Sequence, residues 1–282
     1  MTSGRGAPRQ LALPLNAPLT FAGHDAPVIH QHHAEIDGLP VTWQRAGDAP
    51  ILYVHGVPDA GELWTPFLER TGGVAPDLPG FGESMKRGDL DYSIDGYADW
   101  LERFCALVGL DRVRLVLHDW GAVGLAFAQR APERVERLVA IDVVPFLPGY
   151  RWHPIARVWR TPVLGEVAMG MAIKPVVRRL LPAGRAEPVL RAFDPGTQRA
   201  ILKLYRASPP ERLAAAGAQL RTIAAPALVL HGERDRYIPS RFADGLAAAL
   251  GDARVEHVGG AGHWPWLDRP ELVDRVAAFL RG

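Results

Sequence analysis

Apolar and polar positions along the chain switch repeatedly between a period of two and a period near 3.6, which predicts alternating strands and helices. From His33 to Arg45 the two kinds of residue alternate around Asp37-Gly38, a dipeptide suited to a tight β-hairpin turn. Pro50 to Val54 is a short apolar run, and Leu63, Trp64, Phe67 and Leu68 then share one face of a helix. Gly72 to Ala75 leads into Pro76-Asp77-Leu78-Pro79-Gly80-Phe81-Gly82-Glu83-Ser84, where the density of Gly and Pro forbids a helix. Ile94 to Leu110 is an amphipathic helix, and Val113 to Leu117 is a buried strand running straight into a second helical pattern that ends near Arg130. Strands over Val135 to Val144, Ala225 to His231 and Arg254 to Val258 follow, with helices from Phe242 to Leu250 and Pro270 to Leu280. Such alternation implies an α/β fold, with a largely parallel sheet covered on both faces.

One stretch departs from this rhythm. Residues 147–221 hold no strand pattern, only helical runs broken by prolines, and are expected to form a helical cap over one end of the sheet. The core domain is then 28–146 and 222–282, preceded by a Pro-, Gly- and Ala-rich leader over 1–27. Met169 and Met171 in the cap are expected to be packing residues.

Composition narrows the function. Thirty-two basic and 31 acidic side chains give a net charge of +1, so nothing favours nucleic acid or an anionic membrane as a partner. No apolar run reaches the roughly 18 residues of a membrane span and no signal pattern opens the chain, so a cytoplasmic protein is expected. The single Cys105 lies on the apolar face of a helix and reads as a buried structural thiol. His30, His32 and His33 have no acidic or Cys partner at ligand spacing, so they read as a solvated strand edge and no metal is expected.

The chemistry concentrates in His118-Asp119-Trp120-Gly121. A residue on a sharp strand-to-helix turn projects its side chain at the carboxyl edge of the sheet, and small neighbours such as Gly121 and Gly124 let the backbone double back. Here the residue at the turn is a carboxylate, which suits attack on a saturated carbon. Asp235, after Gly232-Glu233-Arg234, and His263, after Gly262, stand at later strand ends. The order nucleophile, acid, histidine is that of one known triad arrangement.

Together with His55-Gly56-Val57-Pro58 and the segment from Asp77 to Ser84, these motifs make the chain resemble the α/β-hydrolase superfamily over nearly its whole length. His118-Asp119-Trp120-Gly121 is similar to the aspartate-nucleophile branch, the epoxide hydrolases and haloalkane dehalogenases. The resemblance implies an ester on Asp119, hydrolysed by water that His263 deprotonates while Asp235 orients the imidazole. It implies an oxyanion hole from the backbone N–H groups of Val57 and Trp120, and needs no cofactor. Asp142 is the rival for the acid, since some dehalogenases carry it at that strand end. A small apolar epoxide or haloalkane is the implied substrate, and a homodimer is compatible with the resemblance.

The leaving group divides the branch. An epoxide oxygen departs as a basic alkoxide and needs a proton donor, for which a cap tyrosine suits. Tyr205, in Leu204-Tyr205-Arg206, resembles the ring-opening tyrosine of epoxide hydrolases, with Tyr150 as a second. A halide needs N–H donors, which Trp120 and a cap indole, Trp152 or Trp159, would supply; the three would also contact substrate. Val57 stands where many dehalogenases have a donating Asn, which counts against the halide. Leu117 and the segment Trp159 to Glu166 resemble dehalogenases instead. A fluoroacetate-type enzyme is disfavoured, because Asp119 to Ala122 contains no arginine to hold a substrate carboxylate. On balance the expectation is an epoxide hydrolase, with a haloalkane dehalogenase as the alternative and a non-catalytic ligand receptor on the same fold as the third reading.

Overall fold

Asp37 and Gly38 turn the chain at φ 54° and 73° and close a hairpin between β1 (Ile29–Ile36) and β2 (Leu39–Ala46). The computed structural model describes residues 27–171, 177–179, 181, 182 and 184–282. The expected leader, apart from its last residue, lies outside the described residues. On the edge strand β1, His32 stacks on Trp43 with ring centroids 5.3 Å apart, and His33 Nδ1 lies 3.0 Å from the Thr42 hydroxyl.

Six further strands complete one eight-stranded sheet: β3 (Ile51–Val54), β4 (Gly73–Pro76), β5 (Val113–His118), β6 (Val135–Ile141), β7 (Ala227–Gly232) and β8 (Ala253–Val258). Their order is β1-β2-β4-β3-β5-β6-β7-β8. Only β1–β2 and β2–β4 pair antiparallel, and every other neighbouring pair is parallel. Parallel strands need crossovers, here including α1 (Thr65–Thr71), α2 (Ile94–Val108), α3 (Val123–Arg130) and, between β7 and β8, a helix over Arg241–Ala249.

The period-two pattern of β5 explains how one strand serves two cores. Leu115 and Leu117 enter a cluster with Trp100, Leu101 and Phe104 of α2, whereas Val116 enters the opposite cluster with Tyr53, Trp64 and Phe67. Ser93 caps α2 by accepting from the Gly96 N–H at 3.0 Å, and Gly109 ends it in the left-handed region at φ 72°. Cys105 is buried on the inner face of α2, and burial pushes its thiol up to about 12.

β6 stops at Ile141 rather than Val144, because Asp142 takes φ 44° and turns the chain out of the sheet. From there to β7 the described residues contain no strand. They form α4 (Pro154–Arg160), α5 (Leu164–Gly170), α6 (Ala186–Ala192), α7 (Pro195–Ala207) and α8 (Pro210–Ala216). α7 turns Ala200, Ile201, Leu204 and Tyr205 inward, and Asp194 caps it on the Thr197 N–H at 2.9 Å while pairing with Lys86 at 2.9 Å. After β8 the chain ends in a short helical turn, Pro265–Asp268, and a last helix, Glu271–Arg281. No helix of the described residues is long and apolar enough to cross a membrane.

Candidate active site

β5 delivers Asp119 to the carboxyl edge of the sheet with φ 51°, a conformation an L-residue adopts only at a cost of roughly 1–3 kcal/mol. The turn is permitted by its neighbours. A Cβ on Gly121 would stand 2.1 Å from the Val54 carbonyl oxygen, and one on Gly56 would stand 2.3 Å from the Asp119 Cβ. Both positions must therefore lack side chains for the carboxylate to sit where it does. Asp119 is 6% exposed. Its Oδ1 accepts from the Val57 N–H at 2.7 Å, and its Oδ2 lies 3.4 Å from His263 Nε2.

The loop after β8 carries His263, whose Nδ1 lies 2.7 Å from Asp235 Oδ2. The other oxygen of Asp235 accepts from the backbone N–H groups of Tyr237 at 2.7 Å and Ile238 at 3.2 Å. Asp119, His263 and Asp235 thus form one continuous chain of polar contacts. Asp142, the rival carboxylate, points elsewhere: it lies 2.7 Å from His231 Nδ1 and accepts from the Gly232 N–H at 3.1 Å.

Burial would push the Asp119 carboxyl up, but the hydrogen bond and charge of His263, with the Val57 N–H, hold it below its ordinary value. Burial would likewise lower His263, yet the charge of Asp235 and the hydrogen bond to Asp119 raise it well above the usual imidazole range. Asp235 is held down to about 2, its burial outweighed by the His263 charge and the hydrogen bonds it accepts. At rest this is a carboxylate–imidazolium–carboxylate array. Converting Asp119 to a neutral ester removes one of the two charges that hold the proton on His263, and so turns His263 toward the base form.

Above Asp119 the helical segment supplies an aromatic roof. Trp120 stacks on Trp152 at 5.4 Å, and Tyr205 meets Trp120 edge-on at 5.3 Å, Trp159 at 5.1 Å and Trp152 at 4.8 Å. The Trp120 indole N–H is buried without a hydrogen-bond partner of good geometry, though it lies beside the Tyr205 hydroxyl. Burial, then the charge of Asp119, raises that hydroxyl well above 10. Tyr150 donates to the Tyr237 carbonyl at 3.4 Å, so its proton is partly engaged. The expectation for Trp152 needs correction: its N–H donates to the Ser208 carbonyl at 3.0 Å and is not free for a leaving group. Trp152 remains a wall of the site through its ring.

Three residues that bear on the site escaped the sequence reading. Tyr237 packs its ring 4.9 Å from that of His263, and His153 packs 5.0 Å from Tyr237 on the roof side. Asp59 is buried; it accepts from the Trp264 indole at 3.0 Å and forms an ion pair with Arg185, tying the His263 loop to the helical segment. An Asp just after His55-Gly56-Val57-Pro58 and a His just before a helix-opening proline were the available signals.

The profile of the Alpha/beta hydrolase family matches residues 51–276. A haloalkane dehalogenase of Bradyrhizobium diazoefficiens is 28% identical over 90% of this chain and 95% of its own. A 2-hydroxy-6-oxo-2,4-heptadienoate hydrolase of Pseudomonas putida is 30% identical over 78% of this chain and 84% of its own. Among solved structures, a haloalkane dehalogenase from Bradyrhizobium elkani superposes with a TM-score of 0.79 at 27% identity, covering 90% of this chain and 98% of that one. The sheet therefore has the α/β-hydrolase fold. The chain belongs to the alpha/beta hydrolase family, in its aspartate-nucleophile branch.

Proposed function

We propose that the protein is a haloalkane dehalogenase that cleaves a carbon–halogen bond through an ester on Asp119. The observation that carries this reading is the Asp119 carboxylate itself, strained into place, ionised, and 3.4 Å from His263 beneath the Trp120 and Tyr205 side chains of the roof. One Asp119 oxygen attacks the saturated carbon and the halide leaves with the bonding electrons. His263, relieved of the Asp119 charge, gives up its proton to solvent and then takes one from water. The resulting hydroxide attacks the ester carbonyl carbon, and the tetrahedral oxyanion is held by the N–H groups of Val57 and Trp120. Losing one such donor costs about 3 kcal/mol. Collapse frees the alcohol and restores Asp119. Asp235 stabilises the imidazolium throughout, and the described helices between β6 and β7 serve as the cap that roofs the site.

The dehalogenase reading ranks above the epoxide hydrolase expected from sequence, because the relative and the structure just described carry the dehalogenase name. One observation keeps the epoxide reading second: the Tyr205 hydroxyl stands close enough to feel the Asp119 charge and could protonate a departing alkoxide. Incubation with 1,2-dibromoethane and 1-chlorobutane against styrene oxide and cyclohexene oxide separates them, and halide release with alcohol is expected. Diol formation without halide release would reverse the ranking. Tyr205→Phe should then cost about a hundredfold or more on epoxides, and far less on bromoalkanes. In a His263→Ala variant, mass spectrometry should find the alkyl adduct on Asp119. A receptor would form none.

A further inference from the structure

We propose that His153 is a further catalytic residue, whose Nε2–H donates to the leaving group as the bond over Asp119 breaks. The inference rests on the ester-forming reaction above and adds a donor to its leaving-group side.

A departing halide carries a full charge into a buried site, where each hydrogen bond to it is charge-assisted. Trp120 offers one indole N–H. Val57 has no side-chain donor, and the Trp152 N–H is spent on Ser208. A further N–H donor in the roof would share that charge.

His153 has the required chemistry because of where it stands on its helix. A residue preceding a proline is driven to extended backbone, and as N-cap it offers its side chain to the unpaired N–H groups of the first turn. His153 has φ −60° and ψ 161°, and its Nδ1 accepts from the Ala156 N–H at 3.3 Å. A ring nitrogen that accepts carries no proton, so the neutral imidazole has its proton on Nε2. The two nitrogens point in divergent directions, and Nδ1 facing α4 turns Nε2 away from it.

The ring lies in the enclosure above Asp119, edge-on to Tyr237 at 5.0 Å, Trp152 at 6.3 Å, Trp159 at 6.4 Å and Tyr205 at 6.5 Å. Tyr237 is shared with His263, so the two histidines flank one aromatic ring. Burial lowers His153 to about 4, against the charges of Asp119 and Asp235 and together with those of His263 and Arg157. At neutral pH it is an uncharged donor, and it does not compete with His263 as base. Among the described residues no acceptor is recorded for its Nε2–H.

The test separates donation from capping. Ser is a strong N-cap with no N–H to offer, so His153→Ser keeps the helix start and removes the donor. Bromide is titrated into wild type and His153→Ser with tryptophan fluorescence as the signal, and rates are measured on 1-bromobutane and 1-chlorobutane. The dissociation constant for bromide should rise about tenfold or more, the scale of one hydrogen bond to a charged group. The preference for bromide over chloride as leaving group should widen, since the poorer leaving group depends more on its donors. Wild-type behaviour of His153→Ser in both measurements would reduce His153 to a cap and overturn the proposal. If His153→Ser behaves as wild type while the Asp119 adduct forms in His263→Ala, the reaction stands and only this inference fails. If no adduct forms and wild type binds no bromide, both fail together.

Discussion

Two buried histidine–aspartate pairs stand at neighbouring strand ends, and they behave in opposite ways. His263 meets Asp235 at 2.7 Å, and His231 meets Asp142 at the same 2.7 Å. Burial pushes both carboxyls up. At Asp235 the His263 charge and two backbone N–H donors overcome it and hold the group at about 2. At Asp142 burial prevails, the charge of Asp235 adds to it, and the group rises to about 7 despite the His231 hydrogen bond. The two pairs share residue types and spacing, so the difference lies in their surroundings. Only the first pair has a second ring nitrogen directed at Asp119.

The strongest way to break the comparison is at Asp235. Asp235→Asn keeps the shape but no longer stabilises the imidazolium or fixes its tautomer, and ester hydrolysis should slow about a thousand- to ten-thousand-fold in single turnovers. Asp142→Asn should leave that step within about tenfold, since no hydrogen bond or ion pair links Asp142 to His263. Equal losses would mean that both acids serve His263, and a loss confined to Asp142→Asn would mean that Asp142 is the working acid.

Stability against pH sharpens the contrast with a smaller effect. Asp235 titrates below its ordinary 3.8 when folded, so its contribution is present above about pH 4 and is lost as pH falls toward 2. Asp142 has the reverse sign. Folded, it keeps a proton that the unfolded chain releases, so stability falls as pH rises from about 4 to about 7. His231, also raised, stabilises below 6.5 and loses that contribution as pH climbs through its folded value. Urea unfolding between pH 2 and 8 should show Asp235→Asn flattening the acid limb and Asp142→Asn the neutral limb. Parallel curves for wild type and both variants would refute the assigned surroundings.

The elbow was legible in advance because it is written locally. A β-branched run ending in Asp119, with glycines at 121 and 124, admits few backbone paths, and the structure takes one at φ 51°. The hairpin at Asp37-Gly38 was readable for the same reason. The roof was not. Trp152 was expected to donate to a leaving group, but its partner is the carbonyl of Ser208, 56 residues away, and no window along the chain holds both. His153 was missed because a single histidine carries no pattern until its cap bond fixes its tautomer. Likewise the Asp59–Arg185 pair joins residues 126 apart.

By itself the sequence determined the alternation of strands and helices, the helical interruption before β7 and the carboxylate at the sharp turn, because periodicity and glycine placement act over a few residues. Only the tertiary structure decided which aspartate serves His263, which indole N–H is spent on a backbone carbonyl, and how many charges surround each buried acid. Those outcomes depend on orientation between strand ends and on shared burial, and electrostatic energy in a dry interior follows distance in space rather than position along the chain.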